Sequence, residues 1–349
     1  MHRIALVGCG RISKRHIQVL RDMPEMDLVA VCDLREDRAR AAAEPLGIPF
    51  YLDAMEMVDR VKPDMVSVLT DSGSHPRVGA LLAPHVEVLV IEKPMALTLE
   101  DADNLIECCD RAGTRLFVVK QNRYNPPVVL LRQAIEAGRF GRMVMGTVRI
   151  RWCRRQEYYD QDAWRGTWKL DGGVLTNQAS HHIDLLQWLL GPVESVKAYV
   201  ATRVLRMEAE DTGAAIMQFH SGAIGIVEAT VATRPKDLEG SLSVLGEKGS
   251  VVIGGFSVNQ MLTWNFSEPA GGDEAAQHAI NNPPNVYGFG HRPFYEDVLE
   301  SLRTGRQHML HGLEGRKSIE IINAIYESAF TGREVHLHYH PSGVPLGRD

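Results

Sequence analysis

Short apolar runs alternate with amphipathic stretches over roughly the first 120 residues. Five runs are too uniformly apolar for strands of a sheet with one wet face, namely residues 3–8, 27–33, 64–70, 86–93 and 114–119. Such strands are typical of a parallel sheet that helices cover on both faces. Amphipathic segments between them have the spacing of repeated strand-helix-strand units, most clearly at residues 13–21, 36–46 and 98–112. The pattern predicts an α/β, doubly wound parallel sheet.

Strands follow strands in the remainder of the chain. Residues 211–231 have a hairpin pattern around His220–Gly222, and residues 240–255 have another around Gly246–Gly249. Both alternating sets of the first hairpin are apolar, with Ala215, Met217 and Phe219 on one face and Ile216, Ile224 and Ile226 on the other. We therefore predict an α+β domain on an open antiparallel sheet. Helices, including residues 313–330, would cover one face, and either another subunit or further chain would cover the second.

Length and composition agree with two globular domains. A chain of 349 residues exceeds what one core usually serves, and 44% hydrophobic with 23% charged residues is usual for folded domains. We place the domains at residues 1–120 and 121–349, with a C-terminal helix that can pack back on the first. The combined fold class is α/β plus α+β.

Charge and cysteine content restrict the partners and the compartment. The net charge of -6 gives no diffuse attraction to nucleic acid or an anionic membrane, so an anionic ligand needs a local site. Five cysteines without CxxC spacing, and the lack of a leader-like start, predict a reduced, cytoplasmic protein. No apolar run reaches the roughly 18 residues of a membrane span.

Glycines follow the first predicted strand in the sequence GCGRIS, residues 8–13. Gly8 permits a tight turn, and Gly10 lets the backbone approach a pyrophosphate at the N-terminus of the next helix. Ser13 stands where the usual motif has a third glycine. The motif predicts dinucleotide binding, although an ordinary strand-to-helix turn would also explain glycines alone.

An aspartate supports the dinucleotide hypothesis and bears on the choice of cofactor. Asp33 ends the second predicted strand 23 residues after Gly10, where a carboxylate can bind both ribose hydroxyls of the adenosine. Its charge repels a 2′-phosphate, which favours NAD over NADP. Arg35 and Arg38 keep NADP open.

The fourth apolar run ends on Glu92, Lys93 and Pro94. In a central parallel strand these residues lie at the carboxyl edge, where ligands of such sheets bind. Pro94 keeps Lys93 away from helical dihedral angles, and the segment TDSGSHP, residues 70–76, follows the third run at the same edge. The pattern predicts a cation beside the nicotinamide; a charge that merely marks a strand end is the alternative.

These motifs together resemble the Gfo/Idh/MocA oxidoreductases, whose catalytic lysine sits in an EKP motif. The segment DGGVLTNQASHHIDLLQWLLG, residues 171–191, is similar to the family's GG-x-L-x-x-D-x-G-x-H-x-x-D-L-L element. The resemblance implies a Rossmann domain for NAD, a catalytic His181 and a carboxylate at Asp184. Asn177 replaces the family's usual aspartate, which puts a carboxylate relay at that position in doubt.

Longer strings resemble one branch of that family, the WlbA-type UDP-N-acetyl-glucosaminuronate 3-dehydrogenases. They include VVKQNRYNPP at residues 118–127, QEYYDQDAWRGTW at 156–168 and LEGSLSVLGEKG at 238–249. The resemblance implies a homotetramer that oxidises the C3 hydroxyl of the UDP-sugar to a 3-keto sugar. An aminotransferase would use this product in the biosynthesis of a surface polysaccharide such as lipopolysaccharide O-antigen. The residue pattern alone indicates NAD-dependent oxidation of a small polyol or sugar.

Two other functions stay open. One is a dehydrogenase or ketoreductase for another nucleotide sugar, such as UDP-N-acetylglucosamine. The other is a non-catalytic NAD-binding sensor, against which the presence of both Lys93 and His181 argues.

The expected site residues form three groups. Lys93 and His181 are the catalytic pair, and either can be the base. The cofactor group is Gly8, Gly10, Arg11, Ile12, Asp33, Thr70, Ser72, His75, Glu92, Lys93, Gln121, Trp164 and Arg165. The substrate group is Lys93, Arg123, Tyr158, Tyr159, Asn177 and His181.

Structural alternatives exist for several of these residues. Gln121 can belong to a hinge between the domains, Tyr158 and Tyr159 can serve packing, and Trp164 can be core. Arg292 is a further candidate cation for the anionic substrate. We expect no metal, because the alternating His336, His338 and His340 read as solvent-facing and no other set has catalytic-zinc spacing.

Overall fold

A computed structural model of the chain describes residues 1–255, 258–279, 288–306 and 309–337. Two sheets organise these residues, one of six strands and one of eight. His336 belongs to the last described strand, whereas His338 and His340 lie outside the described residues.

The first sheet is parallel throughout and has the strand order β3-β2-β1-β4-β5-β6. Its strands are β1 (His2–Val7), β2 (Met26–Cys32), β3 (Phe50–Tyr51), β4 (Met65–Val68), β5 (Val88–Ile91) and β6 (Arg115–Val118). The strand order reverses between β1 and β4, which opens a crevice at the carboxyl edge. The predicted doubly wound Rossmann sheet is confirmed. The edge strand β3 was not predicted, because a strand of two residues is too short to show a pattern of apolar and polar positions.

Five helices connect these strands: α1 (Ser13–Arg21), α2 (Glu36–Ala43), α3 (Ala54–Val61), α4 (His75–Leu82) and α5 (Leu99–Ala112). The Thr98 hydroxyl accepts the Asp101 N–H at the start of α5, and Gly113 ends that helix at a φ of 72°. Helices α1, α2 and α5 lie where the amphipathic segments predicted them. Helices α3 and α4 were not predicted.

The second sheet has the order β13-β12-β11-β7-β10-β9-β8-β14. Its strands are β7 (Met143–Arg151), β8 (Val193–Ala201), β9 (Thr212–Phe219), β10 (Ile224–Thr230), β11 (Glu239–Gly246), β12 (Gly249–Gly254), β13 (Gln260–Phe266) and β14 (Val335–His336). Both predicted hairpins are present as β9–β10 and β11–β12. The sheet is mixed, because β7 and β10 pair in parallel while its other described pairs are antiparallel.

The described residues of this part of the chain form seven further α-helices: α6 (Pro126–Glu136), α7 (Gln156–Tyr159), α8 (Val174–Asn177), α9 (Ser180–Leu190), α10 (Asp273–Gln277), α11 (His291–Thr304) and α12 (Gly312–Thr331). Helix α12 packs on β8 of the second sheet and also on α5 and β6 of the first. Helix α11 packs on α1, and Phe294, Tyr295 and Val298 join a core cluster of the first sheet. The two sheets are therefore held together by shared helices, and the boundary near residue 120 stays a prediction.

One face of the second sheet is covered and the other is open. Along β9, Ala215, Met217 and Phe219 are buried beneath helices, whereas Ile216 is 59% exposed. The cross-strand register puts Ile216, Ile224 and Tyr199 on the same open face. The described residues thus leave apolar side chains of this face uncovered.

Candidate active site

The turn between β1 and α1 has the geometry that a bound pyrophosphate requires. Gly8 has a φ of 101°, and a Cβ there would lie 2.6 Å from the backbone of Leu69. A Cβ on Gly10 would meet nothing within 4 Å, so a ligand can approach its backbone. Ser13 donates its hydroxyl to the carbonyl of Gly10 at 2.6 Å. The turn also contains Arg11 and Ile12, and the chain's own residues therefore fit a dinucleotide.

Asp33 lies directly beside this turn. Its carboxylate accepts the backbone N–H of Cys9 and the backbone N–H of Arg35, each at 2.8 Å. The guanidinium of Arg35 pairs with Asp37 at 2.7 Å, and that of Arg38 pairs with Asp162 at 2.8 Å. Both cations that kept NADP open thus have carboxylate partners, which agrees with a site for NAD.

A cleft of about 930 Å³ runs from the glycine turn to the loop after α7. Gly10 and Arg11 line it from the first domain, and Trp164 and Arg165 line it from the second. The guanidinium of Arg165 lies 4.6 Å from the ring of Trp164 and donates to the hydroxyl of Tyr158 at 2.6 Å. The structure therefore brings the Trp-Arg pair to the cofactor end of the molecule.

The loop after β4 contains Thr70 and Ser72, and His75 is the first residue of α4. Thr70 accepts a hydrogen bond from Ser74 at 2.7 Å, and Ser72 is buried. The ring nitrogens of His75 lie 2.8 Å from the carbonyl of Pro94 and 3.2 Å from that of Thr70. Burial lowers the pKa of His75. His75 thus braces this loop against the residue after Lys93, which argues against its direct contact with a cofactor.

Glu92 points into the protein. One carboxylate oxygen lies 3.1 Å from His16 Nε2 and 3.6 Å from His291 Nε2, and the other accepts the backbone N–H of Lys93 at 2.8 Å. Burial raises the pKa of Glu92, but His16 and His291 together hold it well below the ordinary value. Glu92 therefore fixes the backbone of Lys93, and this inward position argues against the expected cofactor contact.

His16, Glu92 and His291 are also the group of possible metal ligands found among the described residues, with donor atoms within 4.8 Å of one another. Tyr295 contacts Nδ1 of His16 at 2.7 Å, and Glu92 contacts Nε2. Since both nitrogens of His16 and both oxygens of Glu92 have protein partners, we interpret the trio as a polar network. The expectation of no metal stays a prediction.

Lys93 and His181 line the same small cavity beyond β5. Lys93 donates its Nζ to the backbone carbonyl of Asn177 at 2.9 Å, and Gln121 Nε2 lies 3.3 Å from His181 Nε2. Burial lowers the pKa of Lys93. Burial and the charge of Lys93 also lower the pKa of His181 well below its ordinary value. A neutral imidazole and a lysine with a lowered pKa thus line the same cavity. This arrangement suits proton transfer at a substrate hydroxyl.

Arg123 does not belong to this pair. It is fully buried, donates twice to Asp184 at 2.8 Å, and contacts Glu314 at 3.2 Å. Lys120 donates to the same Asp184. This placement argues against Arg123 as a substrate ligand, and we do not retain it in the site. No local sequence pattern indicates this partnership, because Asp184 is 61 residues away along the chain.

The two tyrosines differ in their surroundings. Tyr158 is half-buried and receives the hydrogen bond of Arg165, so it belongs to the cleft. Tyr159 is 6% exposed, packs in the second core, and burial raises its pKa. Its position supports the packing alternative. Arg292 lies on the surface of α11, where it pairs with Glu296 and donates to the backbone carbonyl of Asp22.

Two family models match the chain. The model described as "Oxidoreductase family, NAD-binding Rossmann fold" covers residues 2–120, and "Oxidoreductase family, C-terminal alpha/beta domain" covers residues 132–337. Among curated proteins, the D-apiose dehydrogenase of Paraburkholderia graminis is 26% identical over 95% of this chain and 89% of its own length. No helix among the described residues has the length and apolar character needed to cross a membrane.

Two solved structures are much more similar. The WlbA dehydrogenase from Bordetella pertussis, in complex with NADH and UDP-GlcNAcA, is 43% identical with a TM-score of 0.90, covering 97% of this chain and 99% of that one. The WlbA dehydrogenase from Chromobacterium violaceum, with the same two ligands, is 42% identical with a TM-score of 0.91 and covers 97% of each chain.

Proposed function

The chain belongs to the Gfo/Idh/MocA oxidoreductase family and is an NAD-dependent dehydrogenase, and on this premise we propose that it oxidises UDP-N-acetyl-glucosaminuronate at C3. The product is the 3-keto sugar. The observation that carries the proposal is the 42–43% identity to two WlbA dehydrogenases that bind NADH and UDP-GlcNAcA, over 97% of the chain. The pairing of Lys93 with His181 at the edge of the nucleotide sheet supports it.

The proposed mechanism divides the work between the cofactor and two side chains. Bound NAD supplies the hydride acceptor. Either Lys93 Nζ or a ring nitrogen of His181 removes the proton of the C3 hydroxyl, and the other group holds the oxygen. The lowered pKa of Lys93 lets this amine lose its proton nearer neutrality than a lysine in water does, and the lowered pKa of His181 keeps its imidazole neutral and able to accept a proton.

Charged and aromatic groups of the cleft suit an anionic nucleotide sugar. Arg11 and Arg165 bring positive charge to it, and Tyr158 offers a phenol beside Arg165. Asn177 lies at the other end, next to Lys93. We assign Tyr158, Arg165, Asn177, Lys93 and His181 to substrate binding. A 3-keto sugar is a substrate for amination, so an aminotransferase in polysaccharide biosynthesis is the expected consumer of the product.

A panel of UDP-sugars tests the proposed substrate. The absorbance of the purified protein first reports any retained NADH, and NAD-loaded protein is then mixed with each sugar in a single turnover. We expect the fastest NADH formation with UDP-N-acetyl-glucosaminuronate. Faster reduction with UDP-N-acetylglucosamine would instead favour the alternative nucleotide sugar. NAD binding without reduction by any sugar would favour the sensor.

The open face of the second sheet is proposed to bind further copies of the same chain. Tyr199, Ile216 and Ile224 are 73%, 59% and 45% exposed on it, and an apolar sheet face of this kind is normally covered. We expect a homotetramer by light scattering at micromolar concentration, and dissociation in the Ile216→Glu variant. A monomeric unmodified protein would contradict the proposal.

A further inference from the structure

Asp171 is a buried carboxylate that the sequence analysis did not select. It lies directly before the two glycines that lead into α8, and it is 1% exposed. One of its oxygens accepts the side-chain amide of Asn177, and the other accepts the backbone N–H of Gly166 at 2.8 Å. Among the described residues, no lysine or arginine forms a direct ion pair with it. Its charge is therefore held by neutral donors.

Asn177 connects this carboxylate to the lysine of the site. Its side chain donates to Asp171, while its backbone carbonyl accepts Nζ of Lys93 at 2.9 Å. The glycines between Asp171 and α8 make the short connection possible. Gly172 has a φ of 75°, and a Cβ on Gly173 would lie 2.0 Å from Glu210 Oε2. Asp171 thus fixes the residue that directs a carbonyl at Lys93.

The second hydrogen bond of Asp171 reaches the cofactor end of the cleft. Gly166 follows Trp164 and Arg165, which line the cleft opposite Gly10. One carboxylate therefore joins the Trp-Arg loop to Asn177, the last residue of α8. Loss of the Asp171 charge would therefore disturb both the Trp-Arg loop and Asn177.

We propose that Asp171 is a positioning residue that acts on Lys93 through Asn177 and supplies the negative charge that the neutral amide at position 177 lacks. The inference rests on the proposed function, because Lys93 is assigned to proton transfer there. In a site of low dielectric constant, a nearby anion favours the ammonium form of a lysine and orients its hydrogen-bond partners.

The charges around Lys93 agree with this role. Burial and the charge of Arg165 lower the pKa of Lys93. The anions Glu92 and Asp171 act to raise it. His181 is neutral and faces Lys93 from α9. Burial in turn raises the pKa of Asp171. The hydrogen bonds from Gly166 and Asn177 and the charges of Arg165 and Lys93 lower it by less. Glu92 is engaged with two histidines, whereas Asp171 is linked to Lys93 through Asn177, so loss of the Asp171 charge should lower the pKa of Lys93 further.

Exchange of two side chains tests the proposal. The variants are Asp171→Asn, Asn177→Asp and the double exchange, which moves the carboxylate to position 177. The first readout is the pH dependence of Lys93 acetylation in the NAD-bound protein, quantified by mass spectrometry, which needs no substrate. We expect Asp171→Asn to move this profile to lower pH by about one unit, and the double exchange to move it back.

Hydride transfer provides the second readout. In single turnovers we expect Asp171→Asn to be slowed about tenfold, with its pH-rate profile displaced in the same direction, and the double exchange to regain most of the rate. Glu210→Gln is the matched control. Glu210 is another buried carboxylate, and it contacts α8 by accepting the backbone N–H of Leu175, away from the link between Asn177 and Lys93. It should leave the Lys93 profile unchanged.

The outcomes separate this inference from the proposed function. An unchanged acetylation profile in folded Asp171→Asn would overturn the role of Asp171, and so would a double exchange that recovers neither profile. Should Asp171→Asn not fold, Asp171→Ser removes the same charge with a smaller polar side chain and must shift the profile to lower pH. Failure of every UDP-sugar to react would refute the proposed substrate, yet the Lys93 titration would still decide this inference.

Discussion

Two lysines end neighbouring strands of the first sheet, and their surroundings differ sharply. Lys93 lies two residues after β5, and Lys120 lies two residues after β6. The Nζ of Lys120 donates to the Asp184 carboxylate, to the carbonyl of Glu314 at 3.0 Å and to the hydroxyl of Ser318 at 3.1 Å. The Nζ of Lys93 donates to one backbone carbonyl, that of Asn177.

A position at the carboxyl edge of the sheet therefore does not by itself make a lysine reactive. Asp184 binds Lys120 and Arg123 together, and this buried cluster ties α9 to the end of β6 and to α12. Burial lowers the pKa of Lys120 to about 8, although Asp184 acts to raise it. Within the part of the chain that the structure describes, no carboxylate lies at hydrogen-bond distance from Lys93 Nζ, so this amine can exchange partners with a substrate hydroxyl.

Replacement of each lysine by methionine should separate chemistry from stability. We expect Lys93→Met to slow single-turnover NADH formation by roughly 10² to 10⁴-fold, as loss of general acid-base catalysis does, while NAD binding survives. His181→Asn should have an effect of the same order, and the double variant should be little worse than the slower single one. Lys120→Met is the matched control and should lower stability more than the rate of hydride transfer. Equal losses of rate in both lysine variants would remove the distinction between them.

The counter-charge of the structural cluster should matter most for folding. Asp184→Asn leaves Lys120 and Arg123 as two buried cations without their shared carboxylate, and this should cost about 3–5 kcal/mol of unfolding free energy. Urea unfolding measures it, and Asp162→Asn at the partly exposed Arg38 pair provides a milder control. A loss of less than about 1 kcal/mol would mean that the cluster is dispensable.

Asp33 should control the cofactor at the other end of the same sheet. Because two backbone N–H groups already aim its carboxylate, Asp33→Ser should weaken NAD binding by about tenfold to a hundredfold, the range for a lost hydrogen bond to a charged group. The preference against NADP should narrow as well. Fluorescence titration of both cofactors checks this. Equal use of NAD and NADP by the unmodified protein would contradict the assignment.

The smallest expected effect concerns the opposite side of α9. His182 is buried, its ring nitrogens have no partner among the described residues, and burial lowers its pKa from 6.5 to about 4. Between these values the unfolded chain binds a proton that the folded one excludes, so stability falls as the pH is lowered from 6.5 toward 4. Acidification from pH 7 to 5.5 should cost about 1 kcal/mol through this group. His182→Leu should reduce that pH dependence; an unchanged slope would argue against it.

Local motifs were readable from the sequence, whereas long-range partners were not. Gly8, Gly10 and Lys93 lie at turns whose geometry depends on adjacent strands and helices, so spacing was enough to locate them. The roles of Lys120 and Arg123 depend on Asp184, more than 60 residues away, and no local pattern records such a pairing. Asp171 was overlooked because it stands beside a glycine pair that reads as a turn. The parallel pairing of β7 with β10 likewise joins distant segments.

Transfer of deuterium tests the central claim most directly. NAD-loaded protein is mixed with UDP-N-acetyl-glucosaminuronate that carries deuterium at C3, and the nicotinamide product is examined by mass spectrometry and NMR. We expect deuterated NADH, a 3-keto sugar and slower NADH formation than with the unlabelled substrate. NADH without deuterium would place the oxidation at another carbon, and absence of NADH from a fully NAD-loaded protein would contradict the proposed reaction itself.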